Sequence, residues 1–192
     1  MQNFSHLSKQ QARQTIKQII STLPKEYFFD SGQKICKTLC SLSCYQQADA
    51  IFSYVSTNTE PSTFLLLEQA LKDNKRLAVP KTYKNGTMEA IVIHSLSELS
   101  VGQFGILEPQ SGESLSPNQI DFSLIPCMSM SLTGQRLGYG GGYYDRFLSQ
   151  LSNRNFAAAC CGALLTHSLP IEPHDQAIPL ILTERSLLFC TH

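Results

Sequence analysis

The stretch GQRLGYGGGYYDR, residues 134–146, concentrates the residue types that bind anions. Gly134, Gly138, Gly140, Gly141 and Gly142 let the backbone approach a ligand closely where a side chain would intrude. Successive backbone N–H groups in such a loop make a concave site suited to phosphate. Arg136 adds a fixed positive charge, and Tyr143, Tyr144, Asp145 and Arg146 follow the glycines as the first turn of a helix. Phosphoryl transfer asks a protein mainly for positioning and charge stabilisation, which backbone donors and an arginine supply. No residue of the stretch is an obvious covalent nucleophile.

A phosphate loop needs a scaffold, and the flanking periodicities describe one. Over 8–23 the apolar residues Ala12, Ile16, Ile19, Ile20 and Leu23 keep helical spacing, and Pro24 closes the segment. Lys9, Arg13 and Lys17 sit four apart on one face, as a solvated stripe or as counter-charge to a nearby polyphosphate. A second helical pattern covers 31–45. AIFSYV, 50–55, reads as a buried strand. Glu60-Pro61 then leads into a third helix expected over 61–72, since proline and a carboxylate both suit a first turn. Glu60 is therefore a helix-start residue, or a ligand contact at the carboxyl end of a strand, where open α/β sheets bind ligands. Further strands are expected at 76–80, 88–94, 120–125 and 156–165, with a last one at 180–183 and a helix over 143–151. The connection 95–118 is irregular and long enough to suggest a lid or ligand-binding loop. Alternating strands and helices predict an α/β fold with a largely parallel sheet. With no internal repeat or linker, 1–192 reads as a single domain.

Composition narrows the function. Lys+Arg and Asp+Glu both count 15 in 192 residues, which gives no basic surface for nucleic acid or anionic membrane. No apolar run approaches the roughly 20 residues that span a bilayer. The polar opening MQNFSHLSKQQARQ carries no apolar signal core, so a cytoplasmic location is expected. Seven cysteines without paired CxxC spacing fit small buried thiols, with a thiol metal site as the alternative. Cys36, Cys40 and Cys44 would share a helix face, and Cys160-Cys161 would sit in strand core.

GQRLGYGGGYYDRFL closely resembles the signature of the 5-formyltetrahydrofolate cyclo-ligase (5,10-methenyltetrahydrofolate synthetase) family. The Lys9…Arg13 pair, SYVSTNTEPST, LAVPK, GILEP, DFSLIP and LPIEPHD occur in that family's order, so the resemblance covers nearly the whole chain. It implies a three-layer α/β/α sandwich with a Rossmann-like sheet that binds ATP, Mg²⁺ and a reduced folate. By position, Lys9, Arg13, Arg136 and the loop Leu137, Gly138, Tyr139, Gly140, Gly141, Gly142, Tyr143 and Tyr144 correspond to ATP contacts. Val55, Glu60, Tyr139, Gly140, Gly141, Gly142 and Tyr143 correspond to folate contacts, and Asp145 and Asp175 to magnesium. Arg136 and Asp145 are the expected catalytic pair. Read without the family, Asp175 is a turn or cap residue, and the two tyrosines could equally be helix core. The chain departs from the family pattern at Leu164, at Met130-Ser131, and at Gly141, where some members carry lysine.

The implied reaction converts 5-formyltetrahydrofolate to 5,10-methenyltetrahydrofolate with release of ADP and phosphate, by phosphorylation of the formyl oxygen and ring closure. A kinase acting on another acceptor, or a nucleotide-binding module without activity, would use the same loop. The expected partners are small molecules, with neither nucleic acid nor membrane, and the expected state is a monomer.

Overall fold

The computed structural model describes residues 1–190. Helix α1 (Lys9–Thr22) begins where sequence chemistry says it should. The Ser8 side chain accepts from the Gln11 N–H, and the Gln11 side chain accepts in return from the Ser8 N–H at 2.9 Å. Helices α2 (Lys25–Cys40), α3 (Ser43–Gln46), α4 (Phe64–Lys72) and α5 (Tyr143–Leu148) complete the set. The strands are β1 (Ala50–Ser53), β2 (Arg76–Thr82), β3 (Met88–Ile93), β4 (Leu99–Val101), β5 (Leu107–Pro109), β6 (Ser114–Leu115) and β7 (Phe122–Pro126). Then follow β8 (Ser129–Ser131), β9 (Arg136–Leu137), β10 (Phe156–Ala159), β11 (Leu165–Thr166), β12 (Leu180–Leu182) and β13 (Leu187–Phe189).

An eight-stranded sheet in the order β13-β12-β10-β7-β1-β2-β3-β6 forms the middle layer. Strands β12, β10, β7, β1 and β2 are parallel, β13 and β3 run against them, and β6 pairs antiparallel with β3 at the edge. Alternation along β1 explains the layering. Ile51 joins Leu39, Leu66 and Leu67 of α2 and α4 on one face, while Phe52 meets Phe147 of α5 on the other. Ala12 and Ile16 of α1 pack with Ile125, Ala158 and Ile181, also on this second face. A small sheet, β11-β8-β9, lies in the same apolar cluster through Met130 and Leu137. The expected three-layer α/β/α sandwich is thus the fold. After β1 the chain winds outward through β2, then returns to place β7 on the other side of β1. The carboxyl ends of β1 and β7 flank that switch point, where α/β sheets open a crevice for ligands.

Several expected boundaries shift. Helix α2 begins after Pro24 and ends at Cys40, so the pattern at 31–45 is two helices broken at extended Leu42. Cys36 and Cys40 remain one turn apart on α2, while Cys44 belongs to α3. The third helix starts at Phe64 and excludes Pro61. The Tyr54 hydroxyl donates to the Pro61 carbonyl at 2.7 Å and the Thr63 hydroxyl to the Tyr54 carbonyl at 2.9 Å, which folds this loop back on the end of β1. The connection 95–118 contains the β4–β5 hairpin and β6. The strand expected at 156–165 stops at Ala159, although Cys160 and Cys161 are buried as expected. Helix α5 ends at Leu148 rather than 151, and β13 adds an edge strand beyond the one read as last.

Candidate active site

The candidate residues converge at the switch point. A cavity of about 600 Å³ opens there, and every residue assigned by resemblance lines it, from Lys9 and Arg13 through Val55, Glu60 and the loop 136–145 to Asp175. Strands β8 and β9 form a hairpin that turns the chain back, so Arg136 enters the cavity from β9. The loop then crosses the cavity with Gly140 at φ 100° and Gly142 at φ 67°, conformations that disfavour a side chain. Leu137 is fully buried and anchors the loop's first turn in the core.

Arg136 is the most tightly built charge. Its Nη2 donates to Asp145 Oδ2 at 2.8 Å and its Nη1 to the Pro126 carbonyl at 3.3 Å, at the end of β7. Its Nε is buried and has no hydrogen-bond partner among the described residues. Arg13 Nε donates to the Gly138 carbonyl at 2.8 Å, which fastens α1 to the loop. One turn earlier, Lys9 Nζ contacts Asp175 at 2.6 Å and Glu172 at 2.8 Å. Burial pulls the Lys9 ammonium down, but the two carboxylates outweigh it and its pKa is raised. The helical stripe therefore faces the cavity at Lys9 and Arg13 and is not merely solvated.

Glu60 is buried in the loop after β1, and its Oε2 accepts from Thr57 N–H and Thr57 Oγ1, both at 2.8 Å. Burial raises its carboxyl pKa, offset in part by Thr57 and by the Tyr139 hydroxyl. Glu60 does not start the helix, which begins at Phe64; it sits in the loop after β1 and lines the cavity. Burial and the neighbouring Glu60 carboxylate also push the Tyr139 and Tyr144 phenols up. Tyr144 packs into the core clusters, with Arg136 5.9 Å from its ring centroid, so it is both core residue and cavity wall. Tyr143 lies across the loop. Its hydroxyl donates to the Tyr83 carbonyl at 3.0 Å, and a Cβ on Gly141 would meet its ring at 2.7 Å. The absence of lysine at 141 is thus coupled to where Tyr143 sits.

Asp145 and Asp175 line one cavity, yet each is held by a different cation, Arg136 and Lys9. Among the described residues, the cluster with metal-ligand spacing is Glu172, His174 and Asp175. Thr57, Thr82, Phe104, Glu108, Glu172 and His174 also line the cavity without having been assigned. All but Thr82 and Phe104 fall inside the landmark segments already quoted. Phe104 had a weaker signal, an aromatic between Gly102 and Gly105 in the long connection.

A sequence model of the 5-formyltetrahydrofolate cyclo-ligase family matches residues 5–184. The chain belongs to that family. Among its relatives, the 5-formyltetrahydrofolate cyclo-ligase of Haemophilus influenzae is 29% identical over 152 residues, covering 77% of this chain and 81% of that one. The enzyme of the same name from Escherichia coli K12 is 27% identical over 177 residues, covering 88% and 96%. The solved 5,10-methenyltetrahydrofolate synthetase of Aquifex aeolicus superposes with a TM-score of 0.85 at 27% identity, covering 97% of this chain and 94% of that one. In this member of the family the glycine loop, Lys9 and Arg13 of α1 and Glu60 surround one cavity. No helix among the described residues is long and apolar enough to cross a membrane.

Proposed function

We propose that this protein converts 5-formyltetrahydrofolate to 5,10-methenyltetrahydrofolate with ATP, through phosphorylation of the formyl oxygen and ring closure. The observation that carries this is Arg136, a buried cation beside the glycine loop that lines the same cavity as Glu60. A formamide carbon is a poor electrophile, and its oxygen leaves badly. Transfer of the ATP γ-phosphoryl group to that oxygen gives an imidate phosphate. The neighbouring secondary amine of the folate then bonds to the activated carbon, the C–O bond breaks, phosphate departs and the amine loses its proton.

Each residue has a part in this. Arg136, Lys9 and Arg13 neutralise phosphate charge, and the loop backbone from Gly138 to Gly142 approaches the phosphates. Val55 forms an apolar wall at the end of β1, and Glu60 accepts hydrogen bonds from the N–H edge of the pterin. Tyr139, Tyr143 and Tyr144 border the ring. A magnesium ion fits the carboxylates present. Asp145 uses only Oδ2 on Arg136, and Oδ1 accepts no hydrogen bond among the described residues. Mg²⁺ takes one or two carboxylates together with phosphate oxygens and water, so Asp145 and Asp175 would hold it. When bound, it supplies Lewis-acid charge to the transferring phosphoryl group.

The test is turnover. Purified protein given 5-formyltetrahydrofolate and Mg·ATP is expected to form the methenyl product, followed by its absorbance. Folded protein without turnover refutes the proposal, and ADP release on another acceptor without methenyl product would mark a different phosphoryl transferase.

A further inference from the structure

Glu108, in β5, is a carboxylate that the proposed chemistry leaves unused. It is 4% exposed and lines the cavity. Its Oε1 accepts from Thr82 Oγ1 at 2.7 Å and its Oε2 from Thr82 N–H at 3.1 Å. Among the described residues no lysine, arginine or histidine pairs with it. Glu60 is comparable: a buried carboxylate whose Oε2 accepts from the N–H and hydroxyl of Thr57, with no cation paired to it among the described residues. By contrast the other cavity acids, Asp145, Asp175 and Glu172, all pair with Arg136 or Lys9. Tyr144, Glu60 and Glu108 line the same cavity.

A structural tie between β5 and β2 does not need this charge. A neutral glutamine or serine would bond Thr82 without the cost of burying an ion. Glu108 is instead given room. A Cβ on Gly102 would lie 2.9 Å from its Cδ, so the hairpin admits the side chain only because residue 102 is glycine. Each Glu108 oxygen has one protein donor and a lone pair left over, and the complement of such a group is a donor from the ligand.

We infer that Glu108 is a second substrate-reading carboxylate, accepting a hydrogen bond from a ring N–H or amino group of the reduced pterin while Glu60 accepts from another. The inference rests on the proposed cyclo-ligase reaction. A tetrahydropterin offers several such donors, at N3, N8 and the 2-amino group, more than one carboxylate can take. Two carboxylates held rigidly by threonines would read two of them, which makes Glu108 specificity-determining for the folate and indifferent to ATP.

The experiment compares wild type, Glu108→Gln and Glu108→Ala in steady-state turnover, with separate KM values for 5-formyltetrahydrofolate and for Mg·ATP, and with thermal unfolding. Loss of one charge-assisted hydrogen bond predicts a folate KM raised roughly 10- to 100-fold in Glu108→Gln. The KM for Mg·ATP and the Tm of Glu108→Gln should stay near wild type, because Gln keeps the shape and can still bond Thr82. An unchanged folate KM overturns the inference. So does a folate KM that rises only together with the ATP KM and a fall in Tm, which would mark a structural role. A raised Mg²⁺ requirement with unchanged folate KM overturns it by assigning Glu108 to the metal. Wild type without turnover overturns the cyclo-ligase reading itself and the inference with it, so the two failures are told apart by the first measurement.

Discussion

Removing the Asp145 carboxylate should expose how much of the site's construction depends on one ion pair. Arg136 has a side chain 4% exposed, and its partner Asp145 is 20% exposed at 2.8 Å. Breaking a buried pair from one side costs about 3–5 kcal/mol, because the remaining charge stays buried without compensation. The partial exposure of Asp145 puts Asp145→Ala near the lower end, about 3 kcal/mol. For a chain of this length each kcal/mol moves Tm by about 2–4 °C, so a drop of roughly 6–12 °C is expected. Asp145→Asn keeps an acceptor for Nη2 and loses only the charge assistance, about 1–2 kcal/mol. Thermal unfolding, with and without ATP, measures both variants. Phosphate bound at Arg136 would replace the lost counter-charge, so saturating ATP should recover part of the Asp145→Ala deficit. A Tm unchanged from wild type would refute the account of Arg136 as a buried charge in need of a partner. A deficit that nucleotide leaves untouched would refute the placement of phosphate beside it.

Three further expectations follow from named contacts. Gly141→Ala should cost about 1–3 kcal/mol because its Cβ meets the Tyr143 ring at 2.7 Å, and a double-mutant cycle with Tyr143→Ala should abolish most of that cost. Gly32→Ala should destabilise by at least ~3 kcal/mol in denaturant titrations, since its Cβ would come within 2.1 Å of the Ser62 carbonyl oxygen and push the Glu60 loop off α2. Burial raises the Glu60 pKa above its unfolded value, so its contribution to stability is full at pH below the unfolded pKa and is lost as pH rises through the folded one. Glu60→Gln is therefore expected to be at least as stable as wild type at neutral pH while its folate KM rises. In wild type the folate KM should climb as pH falls through the raised pKa, and this climb should vanish in the variant.

Much of this was legible in the residues. The helical periodicity over 8–23, the buried run of β1 and the glycine loop are local signals, and local chemistry fixes them. The break between α2 and α3 and the late start of α4 were not, because both depend on hydrogen bonds closed in three dimensions, such as Tyr54 to Pro61. The pairing of the acids was hidden for the same reason. Asp145 and Asp175 look alike as carboxylates in landmark segments, and only the fold gives one to Arg136 and the other to Lys9. Glu108 was visible inside GILEP but silent, since its meaning comes from Thr82, 26 residues away in sequence.

The Lys9–Asp175 contact spans 166 residues of chain, and next to it Asn3 bridges to Ser168. Two facing walls of the cavity are therefore distant in sequence and meet only when the chain closes on itself. Without the segment 172–175, Lys9 of α1 has neither of its two acids, Glu172 and Asp175, and the cavity lacks that wall. On the proposed function, nucleotide affinity would therefore report on completed chain closure. Because a ligand that favours the closed form stabilises it by mass action, ATP bound as proposed should fasten these two walls together and raise Tm.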